Sequence, residues 1–134
     1  MPILGVNDVM AVAELRAALR QFLRRSERVA RQSGLTPQRY LLLLMIKGAP
    51  GGSEQSTVTE LSERLQLAQS TVTELVRRAE EAGLVEREQS RTDARVAHLR
   101  LTAEGERRLM LSFTELETER AQLRAAFAQL DSTG

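Results

Sequence analysis

Proline and glycine divide this chain into a series of helical blocks. The prolines are Pro2, Pro37 and Pro50, and Gly34 and Gly83 stand where patterns of apolar residues stop. Proline is tolerated in the first turn of a helix, and glycine commonly ends one in a left-handed conformation. The positions of these residues predict helices over about residues 7–33, 38–47, 57–65, 69–82 and 102–129.

The first and last blocks carry narrow stripes at near-heptad spacing. In the first block the stripe is Val12, Leu15, Leu19, Phe22, Ser26 and Val29. In the last block it is Leu109, Phe113, Leu116, Arg120, Leu123, Phe127 and Leu130. Such stripes pack against another helix, so both outer helices need a partner surface. We expect Arg120 to reach the surface or to meet a carboxylate such as Glu117 or Glu119 of a partner helix, because an unpaired buried charge is unfavourable.

The central blocks predict a helix–turn–helix followed by a small β-wing. Two helices are separated by a short turn at about residues 66–68, and residues 84–89 and 96–101 form two short strands with a polar connection between them. Alternating polar and apolar residues in the second strand favour a hairpin. The predicted fold is therefore mainly α with a small β-wing, in which a winged helix-turn-helix domain is flanked by N- and C-terminal dimerisation helices.

The ordered fragments resemble one known family. They are Leu-Thr-Pro-Gln at 35–38, Val-Thr-Glu-Leu-Ser-Glu-Arg-Leu at 58–65, Ser-Thr-Val-Thr-Glu-Leu-Val at 70–76, Ala-Gly-Leu-Val-Glu-Arg at 82–87, Asp-Ala-Arg at 93–95 and Leu-Arg-Leu-Thr-Ala-Glu-Gly at 99–105. In this order and spacing they resemble the MarR family of multiple-antibiotic-resistance-type regulators, over residues 35 to about 111. The outer helices match only in position and character.

The resemblance implies a cytoplasmic, sequence-specific DNA-binding regulator of transcription. Its expected form is a ligand-responsive repressor that acts as a homodimer on a palindromic operator in double-stranded DNA. The implied domains are residues 1–34 and 106–134 for dimerisation, and 35–105 for DNA binding, with the recognition helix at about 69–82 and the wing at about 84–101.

The expected DNA contacts lie on the recognition helix and at the tip of the wing. Short polar side chains on one face of that helix suit base edges and phosphates. An arginine at the wing tip suits a narrow minor groove, a role that the resemblance implies for Arg95, oriented by Asp93. The full set is Gln69, Ser70, Thr71, Thr73, Arg77, Arg78, Arg91, Asp93 and Arg95. An ordinary solvated helix and a solvated tip are the alternative interpretations.

Family members often bind small aromatic or phenolic effectors between the dimer helices and the winged domain. The resemblance makes five residues candidate walls of such a pocket, although each also suits the core. These residues are Phe22, Tyr40, Leu44, Met110 and Phe113.

The amino-acid composition argues against several classes of protein function. The chain has no cysteine and a single histidine, which excludes thiolate zinc sites and leaves no cluster for a metal or a catalytic triad. We expect no enzyme activity, no cofactor and no membrane association. The net charge is only +1, and residues 56–105 hold seven arginines against nine acidic residues. This acidic balance keeps open a second hypothesis, a winged-helix protein-interaction module that does not bind DNA.

Overall fold

The computed structural model describes residues 5–93 and 95–133, with only the backbone of Thr133. Ala94, at the tip of the predicted wing, and residues 1–4 of the predicted N-terminal segment lie outside the described residues. The described chain divides into two compact units, residues 5–29 with 112–133, and residues 30–111. No helix among these residues is both long and apolar enough to cross a membrane.

The order of elements confirms the predicted fold class. The helices are α1 (Val6–Gln32), α2 (Pro37–Lys47), α3 (Val58–Leu65), α4 (Gln69–Glu81), α5 (Ala103–Glu115) and α6 (Glu117–Thr133). The strands β1 (Val85–Gln89) and β2 (Ala97–Leu101) lie between α4 and α5 and pair in antiparallel fashion. A short 3-10 turn at Pro50–Gly52 follows α2.

The unit formed by residues 30–111 is built around α2. The side chain of Thr36 accepts a hydrogen bond from the Arg39 backbone N–H at 3.1 Å, and Pro37 occupies the first helical position. Four residues of α2 are buried because apolar side chains cover most of its circumference: Tyr40, Leu42, Leu43 and Ile46. Helices α3 and α4 and strand β2 pack against α2. The core of this unit therefore supports the helix–turn–helix from behind.

The other unit contains most of α1 and all of α6, and its apolar stripes are only partly covered. Ser26, Leu116 and Ala126 are buried in it, but Val12 and Phe127 are 48% and 49% exposed. Both exposed residues belong to the stripes that the sequence assigns to a partner surface. The domain boundaries expected at residues 34 and 105 stay predictions.

The expectation of one continuous last helix is wrong, because the helix is interrupted at Leu116, between α5 and α6. That residue is fully buried, and its N–H bonds to the carbonyl of Phe113 at 3.2 Å in a tighter turn than an α-helix allows. The guanidinium of Arg120 donates to the same carbonyl at 2.6 Å and lies 3.7 Å from the centroid of the Phe113 ring. Arg120 thus binds its own chain across the interruption, and its expected contact with a partner carboxylate stays a prediction.

Candidate nucleic-acid interface

The turn between α3 and α4 is held by side-chain hydrogen bonds on both sides. Before α3, Thr57 and Glu60 form a reciprocal capping box with distances of 3.0 and 3.2 Å. After α3, Gln66 adopts the left-handed conformation with φ of 57°. The Ser62 hydroxyl then donates to the Leu67 carbonyl at 2.8 Å. Because the turn is fixed in this way, α4 leaves it in a defined direction.

The first turn of α4 lacks a side-chain cap. Ala68 precedes the helix, and it offers no side-chain hydrogen bond to the first backbone N–H groups. Ser70 and Thr71 are exposed there, while the amide of Gln69 donates to the Thr59 hydroxyl on α3 at 3.4 Å. A helix N-terminus carries partial positive charge and attracts anions. This end of α4 is therefore suited to a phosphate.

The inward face of α4 is apolar. Val72, Leu75, Val76 and Ala79 are all buried. The polar residues on the opposite side remain exposed, including Thr73. A helix that is apolar on one side and polar on the other can dock on a core and still present its polar face to a groove.

Two carboxylates share this exposed face with the arginines. Both carboxylate oxygens of Glu74 accept from Arg77, at 2.5 and 2.9 Å, and one of them also accepts from Arg78 at 3.1 Å. The Glu81 carboxylate accepts a further hydrogen bond from Arg77 at 2.5 Å. The hydrogen bonds from Arg77, with those from Arg78, lower the pKa of the Glu74 carboxyl to about 2. The same partnership raises the pKa of the Arg77 guanidinium.

Glu74 is absent from the residues that sequence reasoning selected for the site. Its signal was available, because glutamate precedes Arg77 by three residues and Arg78 by four, and such residues are neighbours on a helix surface. Base edges and phosphates are read mainly by arginines and short polar side chains, so the sequence pattern did not mark a glutamate on this helix as a contact. The structure places that carboxylate between the two predicted arginine contacts.

The wing is a five-residue antiparallel pair, in which Val85 lies opposite Leu101 and Gln89 opposite Ala97. At the end of the ladder, the Ser90 N–H donates to the Val96 carbonyl at 2.9 Å. The Ser90 hydroxyl accepts from the backbone of Thr92 and Asp93, at 3.3 and 3.2 Å. These bonds order the described part of the connection.

Arg95 projects from the tip of the wing, while its backbone N–H and its Nε are hydrogen-bonded to Asp93. Asp93 accepts from both the backbone N–H and the Nε of Arg95, at 3.0 and 3.3 Å. The side chain of Arg95 is nevertheless 91% exposed. Arg91 is also exposed, and it has no ion pair within the described residues. The tip therefore offers two accessible guanidinium groups, one of them oriented by a carboxylate.

Other arginines of this region are neutralised by neighbouring carboxylates. Arg100 lies 3.9 Å from Glu86 and 3.4 Å from Glu88 on the opposite strand. Arg87 binds Glu80 of α4 at 2.9 Å, which ties β1 to α4. On α4 and the wing, the most accessible guanidinium groups are therefore those of Arg91 and Arg95 at the tip.

The base of the wing is joined to both neighbouring helices. Ser56, just before α3, exchanges two backbone hydrogen bonds with Leu99 of β2, at 3.0 and 2.8 Å. Before α5, the Thr102 hydroxyl donates to the Gly83 carbonyl at 2.6 Å and accepts from the Gly105 N–H at 3.0 Å. The wing and the helix–turn–helix are thus linked through short backbone segments.

All nine residues predicted to contact DNA lie in the unit of residues 30–111, on α4 or at the wing tip. The five predicted effector residues are divided between the two units, since Phe22 and Phe113 belong to one, and Tyr40, Leu44 and Met110 to the other. Tyr40 is buried, whereas Met110 is 49% exposed. The effector pocket therefore stays a prediction. No group of histidine, cysteine or acidic residues that could hold a metal occurs in the described part of the chain.

Comparison with known families gives one match to a family model. The model is that of the MarR family, and it aligns with residues 33–96. This range begins just before α2 and covers the helix–turn–helix, β1 and the connection to β2. Among curated proteins, no sequence matches the chain significantly.

Solved structures resemble the chain over most of its length. A MarR family transcription regulator is 24% identical with a TM-score of 0.70, covering 93% of this chain and 80% of its own. The Mycobacterium tuberculosis transcriptional regulator MOSR, solved with DNA, is 29% identical with a TM-score of 0.61, covering 82% and 77%. A mutant Escherichia coli MarR, solved with operator DNA, is 19% identical with a TM-score of 0.66, covering 81% and 75%.

Proposed function

The chain belongs to the MarR family of transcription regulators, and we propose that it is a cytoplasmic homodimer that represses transcription by binding a palindromic operator. In this proposal α4 enters the major groove and the wing tip enters the adjacent minor groove. The observation that carries the proposal is Arg95, which is 91% exposed yet anchored by Asp93 at the tip of the wing. Narrow minor grooves attract such arginines through their enhanced negative potential.

Two further observations support DNA as the ligand. The relatives from M. tuberculosis and E. coli were solved with DNA, and the E. coli ligand is an operator. In this chain, Ser70, Thr71 and Thr73 expose hydroxyl groups on the first two turns of α4. Hydroxyl groups at that position can bond phosphate oxygens or base edges.

A homodimer is supported by the incomplete burial of the unit that contains α1 and α6. Val9, Met10 and Leu23 of α1 are 55%, 59% and 50% exposed, and Phe127 of α6 is 49% exposed. Large exposed apolar surfaces mark interaction sites. A second copy would cover them and would set two recognition helices about 34–36 Å apart, which is one turn of DNA.

The proposed ligand response is a change in that spacing. A small aromatic or phenolic effector would favour a dimer whose recognition helices no longer match successive major grooves. Phe22, Tyr40, Leu44, Met110 and Phe113 are the candidate contacts, and thermal-shift measurements with aromatic acids and phenols test their role. A compound that raises the melting temperature and lowers operator affinity supports the response; a screen in which no compound does both argues against it.

Replacement of Arg95 by alanine tests the DNA interface. Binding is measured by fluorescence anisotropy on a duplex from the gene's own upstream region, over about 50–300 mM salt. We expect at least about tenfold weaker binding, and a salt slope shallower by about 0.9 per protomer, because one guanidinium per wing no longer displaces counterions. Circular dichroism should be unchanged, since the side chain is exposed.

Arg100→Ala is the matched control, because it removes the same charge from the same wing. Arg100 is already paired with Glu86 and Glu88, so we expect a much smaller loss. Equal affinity of Arg95→Ala and the unaltered protein would refute the wing assignment. If the unaltered protein binds no duplex even at low salt, while a stable protein complex is recovered from cells, the protein-interaction module is favoured instead.

A further inference from the structure

Glu74 occupies a central position on the exposed face of α4. It is one turn after Ser70 and one turn before Arg78, on the side opposite the buried set that contains Val72 and Val76. Its side chain is 45% exposed. A carboxylate at this point faces the same groove as the residues expected to contact DNA, so its charge must influence any approach to phosphates.

The contacts of Glu74 are more extensive than those of an ordinary surface ion pair. It binds Arg77 through both oxygens and Arg78 through one of the same oxygens. Glu81 binds Arg77 from the following turn. Two guanidinium groups and two carboxylates therefore form one cluster with no net charge, which we call the α4 charge cluster. Bidentate geometry fixes a guanidinium in a way that a single contact does not.

This cluster affects the two modes of DNA binding differently. Non-specific binding depends on cations that displace counterions from phosphates, and the α4 charge cluster offers none in excess. A phosphate that recruits Arg77 must also take it from Glu74 and approach a negative charge. Specific binding depends on side chains held in register with one site, and the carboxylate supplies that fixed geometry.

We propose that Glu74 is a specificity-determining residue that positions Arg77 and Arg78 on the recognition helix and withholds them from non-specific phosphate contacts. This inference rests on the proposed function, since it requires that α4 read DNA. Glu74 acts through the two arginines and is therefore a positioning residue. The low pKa of its carboxyl, about 2, means that it remains ionised at every pH at which the protein would bind DNA.

The test is Glu74→Gln, which keeps the shape of the side chain and removes its charge. Binding is measured against salt on a mixed-sequence duplex and on a duplex selected from a random library by the unaltered protein. We expect a salt slope on the mixed duplex steeper by about 1–2 per protomer, because one or two arginines become free to contact phosphates. The ratio of specific to non-specific affinity should fall at least threefold.

Glu104→Gln is the matched control. Glu104 of α5 pairs with Arg107 and Arg108 at the same spacing of three and four residues, and the pKa of its carboxyl is also lowered to about 2. The control makes the same change in net charge outside the recognition helix, and we expect the salt slope of the unaltered protein. Glu81→Gln frees Arg77 from only one of its two partners, and we expect a smaller steepening than that of Glu74→Gln.

The outcomes separate this inference from the proposed function. If the unaltered protein binds no duplex at low salt, DNA reading by α4 fails and the inference fails with it. If the unaltered protein binds its selected site but Glu74→Gln has the same slope and the same specificity ratio, only the inference is overturned. An equal effect of Glu104→Gln would assign the change to net charge and would also overturn it.

Discussion

Replacing Gly105 by alanine should destabilise the protein, although alanine is the better helix former. Gly105 is the third residue of α5, and a Cβ atom built on it would lie 2.1 Å from the carbonyl oxygen of Leu84 and 3.0 Å from its carbon. These atoms belong to backbone and cannot rotate away. Reaching an ordinary contact would require the two segments to separate by about 1 Å or more.

The magnitude follows from the hydrogen bonds at the same place. The Thr102 N–H donates to the Leu84 carbonyl at 3.0 Å, and the Thr102 hydroxyl donates to the Gly83 carbonyl at 2.6 Å. A shift of about 1 Å would weaken both, at about 0.5–1.5 kcal/mol each, and overpacking typically costs about 1–3 kcal/mol. Alanine gains at most about 1 kcal/mol in helix propensity. These ranges combine to about 1–5 kcal/mol, and we expect a net loss of about 2–3 kcal/mol.

Calorimetry and urea unfolding at one fixed protein concentration measure this loss. For a chain of 134 residues the unfolding entropy is about 0.28 kcal/mol/K, so the melting temperature should fall by about 7–11 °C. Ala103→Gly is the control, since Ala103 is exposed in the same helical turn and reports propensity alone. If Gly105→Ala matches or exceeds the stability of the unaltered protein, the close approach to Leu84 does not decide its stability.

Two other predictions concern arginine pairs. Arg120→Gln should destabilise the chain by about 1–2 kcal/mol, because the Phe113 carbonyl loses its charged donor. Phe113→Leu should cost only about 0.5–1 kcal/mol, because it removes the ring but keeps the carbonyl. Equal losses of unfolding free energy in urea would contradict this explanation. Hydrogen bonds from Arg107, then Arg108, lower the Glu104 pKa to about 2, below its unfolded value, so the stability they confer is present above about pH 4.5 and lost as the pH falls towards 2. The stability difference between the unaltered protein and Glu104→Gln should therefore be larger at pH 6 than at pH 2.5, and a constant difference would refute the pairing.

The sequence predicts the helix–turn–helix closely because its signals are local. The capping box formed by Thr57 and Glu60 and the left-handed glycine at Gly83 each depend on a few neighbouring residues. The bridge between Ser56 and Leu99 has no such signal, because one residue paired across the chain leaves no alternating pattern. Long-range pairing of that kind depends on the packed fold rather than on propensity.

The interruption of the helix at Leu116 cannot be predicted from the sequence, for a different reason. The apolar stripe continues through it without a change of period, and neither proline nor glycine marks it. The break is stabilised by tertiary contacts, namely the burial of Leu116 and the bond from Arg120 to the Phe113 carbonyl. A charged residue within an apolar stripe was the one visible irregularity. Within the described chain, Arg120 bonds to the Phe113 carbonyl at the end of α5, and its contact with a partner helix stays a prediction.

In the structure, most arginines of the winged helix-turn-helix region lie next to carboxylates, as the nearly neutral charge of the chain allows. Between residues 56 and 105, five of the seven arginines are paired with carboxylates: Arg77, Arg78, Arg87, Arg95 and Arg100. Non-specific attraction to DNA scales with the cations free to displace counterions, so we expect this arrangement to keep such attraction weak. Of the five, only Arg95 combines its pair with almost complete exposure. A regulator built in this way would depend on the geometry of a few side chains, because its overall charge contributes little attraction.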